Sequence, residues 1–372
     1  VIVSGANTYS GSTNIFSGVL QSAADGSLPD ASDLTVNGTL DLNGNHETFD
    51  ALAGSGSVTL GGGNLTIGAD DGGGTFSGVI SEAGNVTKSG AGTQTFSGAN
   101  SFAGDLTVSG GAVIVSGANT FSESLYVGRY GTGSLNVEAS GSVSGSSVSY
   151  WGYSSQDAGA STINGNWSSD DDLYVGNYGT GTLTVADGGS VTGASGYLGR
   201  YSGSSGTATV TGTDSSWDSS NHLYVGRAST GTLTVADGGS VTGMTGYLGE
   251  LTGSNGTATV TGTASSWTNT GGVVVGNYGT GTLSVENGGS VTGADGYLGR
   301  YSGSSGTATV TGTASSWTNS GGLTVGRYGT GTLSVADGGS VSNSIGYLGE
   351  YQISNGTATV TGTASSWSNS SK

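Results

Sequence analysis

A fifty-residue unit recurs nearly letter for letter through the second half of this chain, and it leaves few folds open. Residues 181–191 (Gly-Thr-Leu-Thr-Val-Ala-Asp-Gly-Gly-Ser-Val) return with small changes from Gly231, Gly281 and Gly331. The companion phrase at 206–213 (Gly-Thr-Ala-Thr-Val-Thr-Gly-Thr) returns from Gly256, Gly306 and Gly356, and Trp217, Trp267, Trp317 and Trp367 keep the same step. Such a period marks a solenoid. One unit alone has nothing to cover its apolar face, whereas stacked units bury a continuous core.

Each unit divides into two half-units of three short alternating runs. The first carries Leu173-Tyr-Val, Thr182-Leu-Thr-Val and Ser190-Val; the second carries Gly196-Tyr-Leu, Thr207-Ala-Thr-Val and Ser216-Trp. Alternation over so few residues signals strands, and the corners between them are rich in Gly, Asn and Asp. Three strands and about 25 residues per coil predict an all-β parallel β-helix (β-solenoid). The whole chain would make roughly fifteen coils, on the order of 70 Å at an interstrand spacing of about 4.8 Å.

Alternation also assigns faces. Leu173, Val175, Leu183, Val185 and Val191 point inward, with Tyr174 and Thr184 outward; in the second half-unit Gly196, Leu198, Ala208, Val210 and Trp217 point inward. Tryptophan then alternates with valine along one corner of the core, and alanine with leucine along the next strand. The recurrent Ala-Asp-Gly-Gly (Asp187, Asp237, Asp337, with Glu286-Asn287 in one copy) reads as a turn. Its Asp is expected to accept backbone hydrogen bonds and its Gly to supply positive φ.

The sequence divides into residues 1–125, with looser strand repeats, residues 126–172, expected as irregular transition coils of the same β-helix, and residues 173–372, built from the fifty-residue unit. A loop or bulge within 146–172 is expected to carry Trp151, Tyr153 and the run Asp170-Asp171-Asp172.

Composition narrows the partners. Twenty-five acidic against seven basic side chains leave a net charge of −18. Nucleic acid and anionic membrane surfaces are poor partners for such a chain, because phosphate binding needs clustered Lys and Arg. No apolar run is long enough for a transmembrane helix. There is no cysteine and hence no disulfide, which is compatible with the cytosol and also with a bacterial chain that must cross a membrane unfolded. The start at Val1, in mid-pattern, is expected of a fragment of a longer protein.

Little points to catalysis. The only histidines are His46 and His222, and His222 occupies a position that is Asp172, Gly272 or Gly322 in sister repeats. No acid pair is spaced for glycoside hydrolysis across a cleft. No catalytic residue and no cofactor is therefore expected. Asp170, Asp171 and Asp172, like Asp70 and Asp71, are weak candidates for calcium, being hard oxygen donors without a repetitive calcium phrase around them.

The outward columns hold the better candidates. Tyr174, Tyr197, Tyr224, Tyr247, Tyr297 and Tyr347 should stack coil on coil, interrupted by Val274 and Thr324. A second row of Tyr178, Tyr201, Tyr278, Tyr301, Tyr328 and Tyr351 is broken by Ala228 and Leu251. Beside it run Arg200, Arg227, Arg300 and Arg327, and Arg227 with Glu250 and Arg327 with Glu350 are placed to pair. A face of Tyr174, Tyr197, Tyr201, Arg200, Arg227, Tyr297, Tyr301, Arg300, Tyr347 and Tyr351 is thus the candidate surface for a ligand or for self-association. The competing reading is that the tyrosines only stabilise parallel strands.

Three phrases carry a resemblance: residues 4–11 (Ser-Gly-Ala-Asn-Thr-Tyr-Ser-Gly), 74–80 (Gly-Thr-Phe-Ser-Gly-Val-Ile) and 86–100 (Val-Thr-Lys-Ser-Gly-Ala-Gly-Thr-Gln-Thr-Phe-Ser-Gly-Ala-Asn). They closely resemble the autotransporter-associated β-strand repeat of bacterial type V secretion, and the fifty-residue unit is similar to the long repeats of large passengers. The resemblance implies a right-handed β-helix at the surface of a Gram-negative cell, tethered through a C-terminal membrane barrel and acting as an adhesin or biofilm factor. The expected function is that of a non-enzymatic rod mediating cell–cell aggregation, biofilm formation or attachment to host or matrix glycans. Its expected partners are other copies of itself, or host and matrix glycans or proteins. The alternatives are a passive stalk displaying a distal domain, a polysaccharide-acting enzyme, and an ice-binding solenoid using the columns of Thr207, Thr209 and Thr211.

Overall fold

The computed structural model describes residues 1–371. The fold is all-β, a parallel solenoid of short strands without a helix among the described residues. Contacts gather into two compact units, residues 1–171 and residues from Asp172 onward.

In the second unit each coil contributes three strands. Leu173–Val175, Thr180–Val185 and Ser190–Gly193 are followed by Gly196–Leu198, Ser205–Thr211 and Ser216–Ser219. Equivalent strand positions pair in register: Tyr174 stands opposite Tyr197, Leu183 opposite Ala208, and Val191 opposite Trp217. The inward residues named from alternation are all buried, and Trp217, Trp267 and Trp317 are at most 1% exposed. Large and small partners share the interior unevenly from coil to coil. An ideal Cβ on Gly246 would lie 2.2 Å from Cζ2 of Trp267, and one on Gly196 would lie 2.5 Å from Cζ2 of Trp217. The indole fills the room that a Leu or Val side chain takes at the same strand position in the intervening coils.

The Ala-Asp-Gly-Gly corner departs from expectation in two respects. Asp187, Asp237 and Asp337 themselves take positive φ, at 52°, 51° and 50°, followed by Gly188, Gly238 and Gly338 at 83°, 91° and 89°. Asn287 does the same at 54°. Two successive left-handed residues are the geometry of a tight mirror-image turn, which Asp and Asn tolerate better than other side chains. The glycine amide is satisfied from the next coil: Gly188 donates to Oγ of Ser215 at 3.1 Å, and Gly238 to Oγ of Ser265 at 3.0 Å. The side chain of Asp237 accepts the Thr211 hydroxyl at 3.1 Å rather than a backbone amide.

In the first unit the coils are shorter, with Asn100 and Asn119 nineteen residues apart and bonded side chain to side chain at 2.7 Å. Leu34, Leu40, Phe49, Leu65, Phe76 and Val108 fill its core. The stretch 146–172 is not a loop: Ser149–Trp151, Ala158–Ile163 and Asn166–Ser169 are strands in regular pairing. Trp151 and Trp167 lie in the core, their rings edge to face at 5.8 Å. Alternation in Ser-Tyr-Trp and Asn-Trp-Ser puts both indoles inward, where burial of so large an apolar surface outweighs any role on a bulge. Tyr153 lies outside, against other tyrosines.

Candidate functional site

Strand register determines which outward side chains meet. With parallel strands about 4.8 Å apart, identical positions on consecutive coils bring aromatic rings to stacking distance. Tyr174, Tyr197, Tyr224 and Tyr247 form one continuous column, with centroid separations of 4.9, 4.7 and 5.1 Å. Val274 and Thr324 interrupt it, being registered between Tyr247 and Tyr297 and between Tyr297 and Tyr347.

The second row is a set of pairs. Tyr178 stacks on Tyr201 at 4.3 Å, Tyr278 on Tyr301 at 4.3 Å, and Tyr328 on Tyr351 at 4.1 Å, all within 11° of parallel. Ala228 and Leu251 supply no phenol rings, so this row has no aromatic stack across their two coils.

The arginines lie against these rings. Arg200 places its guanidinium 3.7 Å from the centroid of Tyr174 and 4.8 Å from that of Tyr201. Arg300 sits 5.1 Å from Tyr297 and 5.2 Å from Tyr301. Both expected ion pairs form, Arg227 to Glu250 at 3.1 Å and Arg327 to Glu350 at 3.3 Å. Burial pushes the Glu250 carboxyl above its usual range, and Arg227 only partly offsets that. The candidate residues therefore gather on one face of the second unit, but they are not equally open. Tyr347 and Tyr351 are exposed, as are Tyr178 and Tyr278; Tyr197, Tyr201, Tyr297, Tyr301, Arg200, Arg227 and Arg300 are half-buried.

Tyr174 is a correction. It occupies the outward side of its strand, yet it is only 5% exposed, covered by Arg200 and Tyr197, and its hydroxyl donates to Oδ2 of Asp172 at 2.8 Å. Period-two alternation gives the direction of a side chain but not what lies over it.

Burial drives the Tyr174 and Tyr224 hydroxyls well above the ordinary tyrosine range, and Asp172 adds to the shift of Tyr174 by accepting its hydrogen bond. Both groups have raised folded values. Their contribution to stability is present below the unfolded value of about 10 and is lost as pH rises through the folded values. Absorbance titration at about pH 11 should leave Tyr174 and Tyr224 protonated while the unfolded chain ionises. A single wave that includes them in the native protein would contradict the buried column.

Among the remaining candidates, Asp172, Asp71 and His46 take structural roles. Oδ1 of Asp172 accepts the Ser195 amide at 3.0 Å, and the Asp171 amide is held by Ser169 at 3.2 Å. Asp170 is exposed, and Asp71 accepts the Ala91 amide at 2.6 Å. Among the described residues no three His, Asp or Glu side chains converge as a metal site. Nδ1 of His46 accepts the Asn64 amide at 3.1 Å. His222 stands edge-on to Tyr224 and Tyr247, and burial lowers its pKa.

One aromatic cluster escaped the sequence reading. In the first unit Tyr126 stacks on Tyr150 at 5.2 Å, Tyr153 meets both edge-on, and Arg129 lies 4.1 Å from the Tyr126 centroid. The signal was present: Leu125-Tyr-Val-Gly-Arg-Tyr130 is nearly the phrase Leu173-Tyr-Val-Gly-Asn-Tyr178.

Against known proteins, the family described as the passenger-associated-transport-repeat matches at residues 1–21 and 86–115. These segments contain the phrases at 4–11 and 86–100; the phrase at 74–80 lies outside them. No curated protein matches the chain. Among solved structures, a TibC-catalysed, hyper-glycosylated fragment of TibA is similar at 19% identity and a TM-score of 0.46, over 96% of this chain and 94% of that one.

Proposed function

We propose that this chain is a passenger domain of the autotransporter kind, exported for display outside the cell, and that it acts as a non-enzymatic adhesin of the Gram-negative cell surface through its tyrosine and arginine face; the passenger-associated repeat at residues 1–21 and 86–115 supports this reading. The observation that carries this reading is the periodic stacking of outward tyrosines in pairs with one exposed ring each: Tyr178 on Tyr201, Tyr278 on Tyr301, and Tyr351 on Tyr328. Aromatic rings in the core of a fold need no solvent, and rings that only staple strands together need no repeated guanidinium beside them. A flat π face next to Arg offers stacking and charge-assisted hydrogen bonds to another chain or to the apolar face of a sugar. Each contact is weak, and repetition along one chain multiplies them. Other copies of the chain and surface glycans are the partners such a face suits.

Cells displaying the passenger are expected to aggregate or to adhere to glycan-coated beads. Tyr201, Tyr301 and Tyr351 changed together to Ser should reduce this at least tenfold, with an unaltered circular dichroism spectrum. Unchanged adhesion by the folded triple variant would favour a passive stalk.

A further inference from the structure

The two interruptions of the tyrosine column are notches. One, of about 200 Å³, is walled by Tyr247 and Tyr297, with Val274, Asp295 and Arg300 around it. The other, of about 220 Å³, is walled by Tyr297 and Tyr347, with Thr324, Asp295 and Arg327 around it. Both are smaller than the roughly 300–1,000 Å³ of drug-sized sites, so each has room for a single ring. In each, the walls stand two strand spacings apart, about 9.6 Å. A ring placed midway would lie about 4.8 Å from each neighbour, which matches the 4.7 and 5.1 Å separations on either side of Tyr224.

The uninterrupted part of the column shows what such a ring would meet. There the ring of Tyr174 packs at a 30° tilt against Tyr197, lies 3.7 Å from the guanidinium of Arg200, and gives its hydroxyl to Asp172. Arg300 is the counterpart of Arg200 two repeats later, but Val274 stands where its tyrosine would be. Its Nε is buried and without a hydrogen-bond partner among the described residues, as is that of Arg200, so the difference between the two arginines lies in the ring that Arg200 covers and Arg300 lacks. Asp295 precedes Tyr297 by two residues, as Asp172 precedes Tyr174, so it belongs to the coil between the two notches and lines both, while Gly272 and Gly322 stand two residues before the missing rings. Its Oδ1 accepts the amide of Gly322 in the following coil at 2.8 Å, as Asp172 does with Ser195 at 3.0 Å. Its Oδ2 takes no hydrogen bond among the described residues.

We propose that the Val274 and Thr324 notches are binding sites for a phenolic ring, which restores the missing tyrosine between Tyr247 and Tyr297 or between Tyr297 and Tyr347 and donates its hydroxyl to Asp295. The ring can belong to a free phenol or to an exposed tyrosine of a second copy, for which Tyr130, at 77% exposure, is suited. The notches adjoin the stacked pairs that carry the adhesin reading, Arg300 lying 5.2 Å from Tyr301, but do not include those pairs, and p-cresol binding is read apart from adhesion.

The test uses p-cresol as the probe, followed by saturation-transfer NMR and by perturbation of tyrosine resonances. Wild type should bind p-cresol in the millimolar range. Val274→Tyr with Thr324→Tyr fills both notches from within and should abolish binding, and Asp295→Asn should weaken it at least fivefold while the fold is retained. Benzene-ring analogues without the hydroxyl should bind more weakly than p-cresol. No p-cresol binding to wild type, or binding indifferent to the filled notches, overturns the proposal. So does preferential binding of methyl glucoside at the same notches. Sedimentation velocity separates the sources: self-association lost in both the filled-notch variant and Tyr130→Ser identifies a second copy, and a monomer at all concentrations that still binds p-cresol identifies a free phenol.

Discussion

Trp267→Ala is expected to lower the unfolding free energy of the second unit by about 3–5 kcal/mol, the range for emptying a core site of an aromatic side chain. The indole is wholly buried, and the surrounding coils are held by parallel hydrogen-bond ladders, with one register shift between Gly243 and Thr245, that resist collapse into the void. In a solenoid each coil is supported only by its neighbours, so the loss should open nearby coils first. Urea denaturation followed by circular dichroism, with proteolytic cleavage mapped between residues 240 and 275, reports it. Gly246→Ala drives a methyl group against the same indole and should also destabilise. The pair Gly246→Ala with Trp267→Val should lose clearly less than the sum of the two single changes, because the second makes room for the first. Strict additivity would show that the two residues do not share the space.

Glu47→Gln should weaken the first unit by on the order of 3 kcal/mol. The carboxylate is 1% exposed and receives four hydrogen bonds: Oε1 from Oγ of Ser22 at 2.7 Å, Oγ of Ser27 at 2.7 Å and the Ser27 amide at 3.1 Å, and Oε2 from the Leu28 amide at 3.2 Å. These are bonds to an ionised acceptor, stronger than their neutral counterparts. A glutamine amide turns one acceptor into a donor and leaves at least one buried N–H or O–H facing another. Hydrogen exchange at Ser27 and Leu28 should quicken by about a hundredfold, the equivalent of roughly 3 kcal/mol. Unchanged protection there would mean that the serines hold the turn without the carboxylate.

Much of the fold could be read before any coordinates. Register followed from the repeat itself: once Tyr174, Tyr197 and Tyr224 share a position, the three strands and their inward residues follow from period-two alternation. The residues that misled are those whose surroundings come from distant coils. Tyr174 reads as exposed because nothing nearby in sequence tells of Arg200 lying across its ring. Trp151 reads as a loop residue because its coil lacks the later consensus, although Ser-Tyr-Trp alternates as its counterparts do. Glu47 gave no signal, since its four donors come from residues 22 to 28, on the preceding coil. In the corner turn, Asp and Gly were recognised as turn formers, while the assignment of positive φ to both depended on the backbone.

The sharing of space between Gly246 and Trp267 also limits how such a gene can grow or shrink. A Trp coil carries Gly and Ala at the positions where its neighbours carry Leu or Val and Leu, so the coils come in two complementary sizes. Unequal crossing-over within a coil would create one that is overfilled, with Leu, Leu and Trp, or hollow, with Gly, Ala and Val. Loss of a single coil would bring two of the same size together. The heritable step in length is therefore the pair of coils. Variants of this gene should differ by multiples of one hundred and fifty base pairs, with junctions that leave each Gly and Trp in the same coil.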